Sequence, residues 1–203
     1  MSFESIDDKV IYKIKKAKRG SLFFVDDFIG FGSAKAVAKA LARLVDKKDI
    51  QRVSRGIYAR LEVHAEFGVV PPSMEDIAKA ITKRDKAKIV ASGVFALNLL
   101  GLSTQVPAKV VYLTTGSARK IQIGKRSILF KKAAPKSLGA IGEISGLVIQ
   151  ALKVLGKENL DKEREEKVLA LLKKEDAYRL EHDIVFAPEW IRVIMRKAKE
   201  KNA

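Results

Sequence analysis

The sequence contains no cysteine and only two histidines among its 203 residues. Without cysteine the chain can use neither a thiol nucleophile, nor thiolate zinc ligands, nor a disulfide. Acidic residues are also scarce, because 24 Asp and Glu face 40 Lys and Arg and leave a formal net charge of +16. The remaining composition, 47% apolar and 32% charged, is that of a folded globular protein. Disordered, collagen-like and disulfide-stapled classes are therefore excluded.

Long hydrophobic runs are missing as well. The longest apolar stretch, from Ile89 to Leu102, is broken by small and polar residues, and it is too short to span a bilayer. The first ten residues, MSFESIDDKV, carry acids and lack the apolar core of a signal peptide. We therefore expect a cytoplasmic protein that does not contact a membrane.

The positive charge is concentrated in two blocks of the chain. Residues 1–60 carry a net charge of +7, and residues 82–136 carry +11 with Asp85 as their single acid. Between the blocks, residues 61–81 carry −3, whereas residues 137–203 carry only +1. Two basic surfaces on two domains explain this pattern, and lysines that merely solvate an exposed face are the alternative. In general, the common partners of such a charge are nucleic acid, an anionic membrane surface or an acidic protein.

The acidic stretch between the blocks contains the candidate domain boundary. The pair Pro71-Pro72 favours an extended backbone and cannot continue a helix. A chain of this length can form two domains, each with its own core. We predict a first domain over residues 1–65, a linker over 66–72 and a second domain over 73–203.

The first domain has the element order of a winged helix-turn-helix. Its hydrophobic periodicity predicts, in chain order, a helix over 6–18, a strand over 22–24, a short helix over 25–29, a helix over 34–48 and a β-hairpin over 50–59. In helix-turn-helix proteins the second helix of the pair enters the major groove of DNA.

Basic side chains lie where such a domain would contact DNA. Lys35, Lys39 and Arg43 are spaced four residues apart on the predicted second helix, with only alanines among the neighbouring outer positions. Arg52 and Arg55 lie at or beside the tip of the predicted hairpin, where they could reach phosphates or the minor groove. An ordinary solvated amphipathic helix would show the same spacing, so that reading stays open.

The second domain is predicted to be α+β. Ser73 begins a helix over 73–83, a second helix is predicted over 85–100, and several helices follow from residue 144 onward.

A period-two pattern beyond Pro107 predicts three strands between those helices. They span residues 110–115, 121–123 and 128–130, and we expect a small antiparallel meander. Its turns and solvent faces carry most of the charge of the second basic block. This second basic surface comprises Lys109, Arg119, Lys120, Lys125, Arg126, Lys131 and Lys132.

No catalytic or metal-binding pattern stands out in either domain. His64 and His182 lack metal-ligand spacing with any other histidine. An enzyme would need a carboxylate-lined pocket around Glu143, or around Glu181 with Asp183. We predict no enzyme, no metal site and no cofactor.

One glycine-rich turn resembles a phosphate-binding loop only superficially. Gly139, Gly142 and Gly146 precede a predicted helix, but the lysine-hydroxyl pair of a P-loop does not follow them. We expect Glu143 in this turn to cap the helix.

Several motifs in both halves of the chain match one known arrangement. They are the run Gly20-Ser21-Leu22-Phe23-Phe24, the helix-turn-helix up to Leu44, the wing Arg52-Val53-Ser54-Arg55-Gly56-Ile57-Tyr58, the stretch from Ala91-Ser92-Gly93 to Leu100-Gly101-Leu102, the pair Val106-Pro107 and the strand of Tyr112. In this order they resemble the AbiEi-type antitoxins, DNA-binding transcriptional regulators of bacterial type IV toxin–antitoxin operons.

The resemblance implies a repressor with two functions. Its winged helix would bind double-stranded DNA at inverted repeats in its own promoter, and its second domain would counteract a nucleotidyltransferase-like toxin without a stable toxin complex. The DNA contacts transferred to this chain are Ser33, Lys35, Lys39, Arg43, Arg52, Ser54 and Arg55. The alternative is an RNA-binding or protein-interaction factor whose main site is the basic sheet, with the winged helix as a scaffold.

Overall fold

Nine β-strands and eight α-helices make up the regular structure of residues 5–200, the part of the chain that the computed structural model describes. The outermost residues of the two expected domains, 1–4 and 201–203, lie outside the described residues. The described chain mixes helices with small sheets, as the sequence predicts. None of its helices is both long enough and apolar enough to cross a membrane.

The chain divides into an N-terminal unit, residues 1–81, and a C-terminal unit, residues 82–203. The N-terminal unit contains α1 (Ile6–Lys16), β1 (Leu22–Phe24), a 3₁₀ helix (Val25–Phe31), α2 (Ala34–Asp46), β2 (Ile50–Ser54), β3 (Ile57–Arg60), β4 (Glu62–His64), β5 (Gly68–Val70) and most of α3 (Met74–Arg84). β1, β2 and β3 form an antiparallel sheet in the order β1-β3-β2. Each element predicted up to β3 is present, and the predicted short helix takes the 3₁₀ form.

Helices and sheet of the N-terminal unit share one apolar core. Residues at helical spacing on α1 and α2 meet residues from β1, the 3₁₀ helix, β2 and β3, and their burial holds these elements together. The core consists of Val10, Ile14, Phe23, Phe28, Val37, Ala40, Leu41, Leu44, Ile50 and Tyr58.

The turn after α2 brings the chain directly into β2. Lys48 adopts a left-handed conformation with φ 60°, and the amide of Asp49 donates to the carbonyl of Leu44 at 3.0 Å. The amide of Lys48 donates to the carbonyl of Val45 at 2.9 Å. This hydrogen-bond pair is that of a Schellman motif, which closes a helix and reverses the chain.

A second hairpin, β4–β5, occupies the place where the sequence predicts a linker over 66–72. Val63 lies opposite Val69 in this pair, and Gly68 has φ 69°, a conformation that favours glycine. The predicted helix after Ser73 does form, because the Ser73 hydroxyl accepts from the amide of Asp76 at 3.0 Å and caps α3. The two units therefore meet in sequence inside α3 rather than at the proline pair.

The C-terminal unit combines one sheet with five α-helices within the described residues. Its elements are β6 (Ile89–Ser92), α4 (Val94–Leu99), β7 (Lys109–Thr114), β8 (Arg119–Ile123), β9 (Arg126–Lys132), α5 (Glu143–Leu155), α6 (Lys162–Leu172), α7 (Ala177–Ile184) and α8 (Glu189–Glu200). The four helices from α5 to α8 enclose a core with α4, and Leu152, Leu172, Leu180, Ile191 and Met195 lie at most 1% exposed in it.

The helix predicted over 85–100 is wrong in its first half. Residues 89–92 form β6, which pairs with β7, and only 94–99 form a helix. The apolar spacing of this stretch fits a helix, but Gly93 has φ 68° and interrupts it. The β-branched Ile89 and Val90 then join the sheet, where such side chains pack well.

The antiparallel meander is also only partly correct. The sheet has the order β6-β7-β9-β8, so β9 lies between β7 and β8 and runs parallel to β7. The pair β8–β9 is antiparallel as predicted, and β7 pairs antiparallel with β6, a strand that the sequence did not predict. β8 is the most polar of the three later strands, and a polar strand is stable at a sheet edge, where one side faces solvent.

Candidate nucleic-acid interface

α2 is built with one apolar face and one small, basic face. The Ser33 hydroxyl accepts from the amide of Ala36 at 3.3 Å and caps the helix at its start. Val37, Leu41 and Leu44 face the core and are at most 3% exposed. Because inward residues recur every three or four positions, the opposite face is left to the intervening residues.

Lys35 and Lys39 form the outer face of α2 within its first two turns. Both side chains are exposed, with Ala38 and Ala42 as their small neighbours on that face. Neither lysine pairs with an acid within residues 5–200. Small residues beside exposed lysines allow a helix to approach a polyanion closely, which is what a groove-binding helix requires.

Arg43, the third residue of the predicted basic line, has a different environment. Its guanidinium donates from Nε to Asp7 Oδ2 at 2.8 Å and from a terminal nitrogen to Asp7 Oδ1 at 2.5 Å. This two-point ion pair joins α2 to the first turn of α1. The hydrogen bond from Arg43 holds the pKa of Asp7 below its usual value, although partial burial opposes it. Arg43 therefore fixes the position of α1, and it would have to leave Asp7 to bind a phosphate.

The β2–β3 hairpin presents the remaining N-terminal candidates. Its turn contains only Arg55 and Gly56, and Gly56 has φ 74°. Arg55 and Arg52 are exposed, and neither pairs with an acid within the described chain. Ser54 is partly buried. Hairpin and α2 thus each present two unpaired cations in one unit.

The second basic surface divides between the two faces of the C-terminal sheet. Strand register places Lys109, Lys120 and Lys131 on one face, because they alternate with the buried residues of β7 and β9. The other face carries Arg119, Arg126 and Lys132, together with the buried Tyr112 and Phe130. Lys125 lies in the turn between β8 and β9. The sequence predicts a single surface here, and the structure brings together only three of its seven residues.

Arg119 supports the fold at the edge strand. It forms an ion pair with Asp85, and its guanidinium lies 5.5 Å from the ring centroid of Phe130. Arg84 binds the same carboxylate at 3.0 Å. Partial burial acts to raise the pKa of Asp85, but the hydrogen bonds from the two arginines keep it below its usual value. The single acid of the +11 block is thus used to hold two of that block's cations.

The lysine-bearing face of this sheet lacks the aromatic side chains that single-strand binders use. Its centre consists of Val90, Val111, Leu113 and Leu129, all partly buried. Bases of single-stranded RNA or DNA stack on exposed aromatic rings. A face of valine and leucine ringed by lysines favours contact with protein over contact with unpaired bases.

The glycine-rich turn before α5 is occupied by carboxylates of this same chain. Asp183, fully buried, accepts from the amides of Ile141 and Gly142, each at 2.8 Å. Glu175 accepts from the amides of Ile144 and Ser145 at 2.8 and 3.0 Å. These four amides form the positive end of a helix, the place where a phosphate would bind. Because carboxylates already fill that place, the turn caps a helix and does not bind phosphate.

The same cluster has no catalytic geometry. Asp183 also binds the Ser145 hydroxyl and lies 2.8 Å from His182 Nδ1. Ser145 is 0% exposed, so no substrate can reach its hydroxyl. Across residues 5–200 no group of three or more His, Asp or Glu is arranged to hold a metal ion. The prediction that Glu143 caps this helix is wrong, because Glu143 is exposed at the start of α5 and the helix has no side-chain cap of its own.

Sequence reasoning missed Glu175 and Asp183 as capping residues. Gly142 stands at the N-cap of α5 and has no side chain that could accept a hydrogen bond. A helix start without its own cap must find acceptors elsewhere in the chain. A glycine at the N-cap therefore indicates in the sequence that acceptors must come from elsewhere, but it does not indicate which distant acids supply them.

Together the described residues define a two-unit α/β protein with an exposed basic helix and hairpin. The chain belongs to DUF6088, a family of unknown function, whose profile matches residues 9–180. No curated protein matches the sequence significantly. Among solved structures the chain is similar to the RV2827C protein from Mycobacterium tuberculosis, with a TM-score of 0.42 and 10% sequence identity. That alignment covers 100% of this chain and 83% of the other.

The Asp7–Arg43 pair predicts a pH-dependent contribution to stability. Because the pKa of Asp7 is lowered in the folded chain, the pair stabilises above the unfolded pKa of about 3.9 and is lost as pH falls through the folded value. Asp7→Asn should lower the free energy of unfolding at neutral pH by up to about 1 kcal/mol, measured by urea denaturation, and Arg43→Gln should lower it in the same direction. The double variant should lose no more than the larger single loss. Additive losses would contradict the pairing, and Asp26→Asn, an exposed acid, serves as the control.

The buried cap on α5 predicts a large penalty for Asp183→Asn. The amide group of asparagine cannot accept from both backbone amides and the Ser145 hydroxyl, so buried donors lose their acceptors. We expect the free energy of unfolding to fall by about 2–4 kcal/mol. Asp176→Asn is the matched control, because Asp176 caps α7 in an exposed position and asparagine caps as well as aspartate. Equal losses in the two variants, or stabilisation by added inorganic phosphate, would contradict the assignment.

Proposed function

We propose that the N-terminal unit is a winged helix that binds double-stranded DNA. The order α1, β1, short helix, α2, β2, β3 and the strand order β1-β3-β2 support this proposal. In that architecture α2 is the recognition helix and the β2–β3 hairpin is the wing. Duplex DNA is also the polyanion that suits a chain with a net charge of +16.

The observation that carries the proposal is the set of unpaired cations on α2 and the hairpin. Lys35 and Lys39 occupy the first two turns of α2, where recognition helices contact base edges. Arg55 at the hairpin tip, with Arg52 behind it, can reach phosphates or the minor groove. Ser33 is used to cap α2 and Arg43 to bind Asp7, so both act by positioning the helix. Ser54 is the last residue of β2 and precedes Arg55 at the turn of the hairpin.

We further propose that the chain is an antitoxin that represses its own toxin–antitoxin operon. The resemblance to AbiEi-type antitoxins supports this, because its motifs occur in both units and in the same order. Under this proposal the winged helix binds inverted repeats in the promoter, and the C-terminal unit counteracts a nucleotidyltransferase-like toxin. The lysine-ringed face of the C-terminal sheet, with Lys109, Lys120 and Lys131, is the candidate surface for the second activity.

A competing function assigns the main role to that same sheet face. An RNA-binding or protein-interaction factor would use its lysines, with the N-terminal unit as a scaffold. The valine and leucine centre of the face favours the protein-interaction version of this alternative, and the lack of exposed rings on it disfavours binding of unpaired RNA. A preference for duplex over single-stranded nucleic acid separates the leading proposal from the RNA version.

Replacing Lys39 and Arg55 with alanine tests the proposed DNA interface. Each phosphate contact contributes about 0.9 to the slope of log affinity against log salt. With Lys39 and Arg55 each neutralising one phosphate, the double variant should lower the magnitude of that slope by about 1.8, measured by fluorescence anisotropy on duplex DNA. Lys157→Ala with Lys162→Ala is the matched control, because both lysines are exposed in the C-terminal unit. Equal slopes for wild type and the Lys39/Arg55 variant would contradict the interface.

The same assay distinguishes a repressor from a general polyanion binder. DNA upstream of the gene should be preferred over an unrelated duplex of equal length by at least about tenfold, or about 1.4 kcal/mol. Equal affinity for both duplexes would contradict autoregulation.

Toxin rescue tests the antitoxin proposal independently of DNA binding. Expression of a nucleotidyltransferase-like toxin encoded beside the gene should arrest growth, and co-expression of the full chain should restore it. The Lys39→Ala, Arg55→Ala variant should restore growth equally, because the proposal assigns the second activity to the C-terminal unit. Rescue that requires Lys39 and Arg55, or no rescue at all, would contradict this division of roles.

A further inference from the structure

The β4–β5 hairpin, residues 62–70, is an exposed apolar arm. Every residue of this arm is exposed, and four of its nine residues are valine or phenylalanine. Their exposed fractions are 53% for Val63, 77% for Phe67, 49% for Val69 and 39% for Val70. A two-stranded hairpin without a covering layer is only marginally stable in water. Apolar patches of this kind mark interaction surfaces.

The arm is also acidic, in contrast to the rest of the chain. It contains Glu62 and Glu66 but neither lysine nor arginine. Glu62 lies over Gly20, because a Cβ built there would approach its Oε2 to 2.6 Å. Glu66 and Phe67 occupy the three-residue tip, and the Phe67 ring stacks on His64 with centroids 4.9 Å apart. The tip thus presents one carboxylate beside one exposed aromatic ring.

A groove of complementary chemistry lies between α1 and the end of the 3₁₀ helix. It has a volume of about 480 Å³ and is lined by Lys9, Tyr12, Lys13, Lys16 and Phe31. The four α1 residues share one helix face, because they are spaced three and four apart. Among residues 5–200 no acid lines this groove. Its rings form an apolar floor, and its lysines form a basic rim.

Contacts within the groove show that its lysines already associate with aromatic rings. Lys16 Nζ lies 4.3 Å from the ring centroid of Tyr12. Lys13 Nζ lies 5.2 and 5.6 Å from the centroids of Phe28 and Phe31 and donates to the Asp27 carbonyl. An incoming phenylalanine would add an aromatic contact to this floor, and an incoming carboxylate would gain a cation on the rim.

We propose that this groove receives the arm tip of a second copy of the chain, so that two copies form a dimer by reciprocal arm exchange. Phe67 contacts Tyr12 and Phe31 of the other copy, and Glu66 pairs with Lys16 or Lys9. Arm and groove belong to the same unit, so a two-fold axis makes both contacts at once and closes the assembly. A one-way contact would leave one arm and one groove unused and would propagate into chains.

Charge complementarity favours a dimer in which each arm binds the groove of the other copy over a dimer in which the two arms bind each other. Two arms placed face to face would bring four carboxylates together, whereas an arm in a groove places Glu66 against lysines. The inference is independent of the DNA proposal, because dimerisation is measured without DNA. A dimer would also present two α2 helices, the number that an inverted repeat requires.

Removal of the ring tests the apolar part of the contact. The full chain, freed of bound nucleic acid, is examined by sedimentation equilibrium over a range of concentrations. Wild type should dimerise reversibly, and Phe67→Ser should weaken the association constant by at least about tenfold. Tyr178→Ser is the matched control, because Tyr178 is 74% exposed in the C-terminal unit, and it should leave association unchanged. A monomeric wild type, or a Phe67→Ser variant that dimerises like wild type, would overturn the proposal.

Charge exchange tests which surfaces meet. Glu66→Lys and Lys16→Glu should each weaken dimerisation by at least about tenfold, because each places like charges in both contacts. A mixture of the two variants should restore the dimer, since lysine then meets glutamate in one contact and the native pair forms in the other. The double variant should likewise recover to within about threefold of wild type.

The outcomes of charge exchange separate this arrangement from other uses of the two surfaces. Glu158→Lys, an exposed acid in the C-terminal unit, is the control and should not affect dimerisation. Losses in both single variants without recovery in the mixture or the double variant would overturn the pairing of arm with groove. Binding of duplex DNA by the monomeric variants keeps a failure of this inference distinct from a failure of the DNA proposal.

Discussion

The scarcity of acidic side chains constrains where this protein can neutralise its own cations. Asp7 binds Arg43 and Asp85 binds Arg84 and Arg119, so these arginines become part of the fold. Asp183 contributes no neutralisation of lysine or arginine at all, because its oxygens accept from backbone amides at the start of α5. Because Asp7, Asp85 and Asp183 are already bound within the fold, their charges are not available to neutralise the exposed lysines and arginines.

Several cations without an acid partner in the described chain lie on rigid elements. Lys35, Lys39, Arg52 and Arg55 are exposed within the N-terminal unit, on a helix and a hairpin whose backbones are fixed by a serine cap, a Schellman turn and a glycine turn. Lys109, Lys120 and Lys131 ring an apolar sheet face in the C-terminal unit. A rigid scaffold beneath unpaired charge suits recognition of a partner, because little side-chain and loop order must be created on binding. The two surfaces differ in chemistry, which supports two different partners.

Elements with a strong local signal were predictable from sequence, and long-range pairings were not. The amphipathic helices around Val10, Leu41 and Ile77 form as their periodicity indicates, because burial of an apolar stripe depends on local spacing. The predicted helix over residues 89–92 was wrong because a single glycine with positive φ interrupts the helical pattern. The parallel pairing of β7 with β9 was not predicted, because strand order depends on contacts between residues that are distant in the sequence. The division of basic residues between two sheet faces, and the use of Arg43 by Asp7, likewise required knowledge of register and packing.

The position of the acidic stretch has a physical reason. Residues 61–81 are the one block of the chain with net negative charge, and they contain the only described hairpin whose residues are all exposed. A protruding basic arm would be repelled by every other basic surface of the same molecule and of its copies. An acidic arm is instead attracted to those surfaces, and the groove on α1 combines basic charge with a partly exposed aromatic floor. The charge imbalance that motivates the proposed nucleic-acid partner of α2 thereby also favours self-association through the one segment of opposite sign.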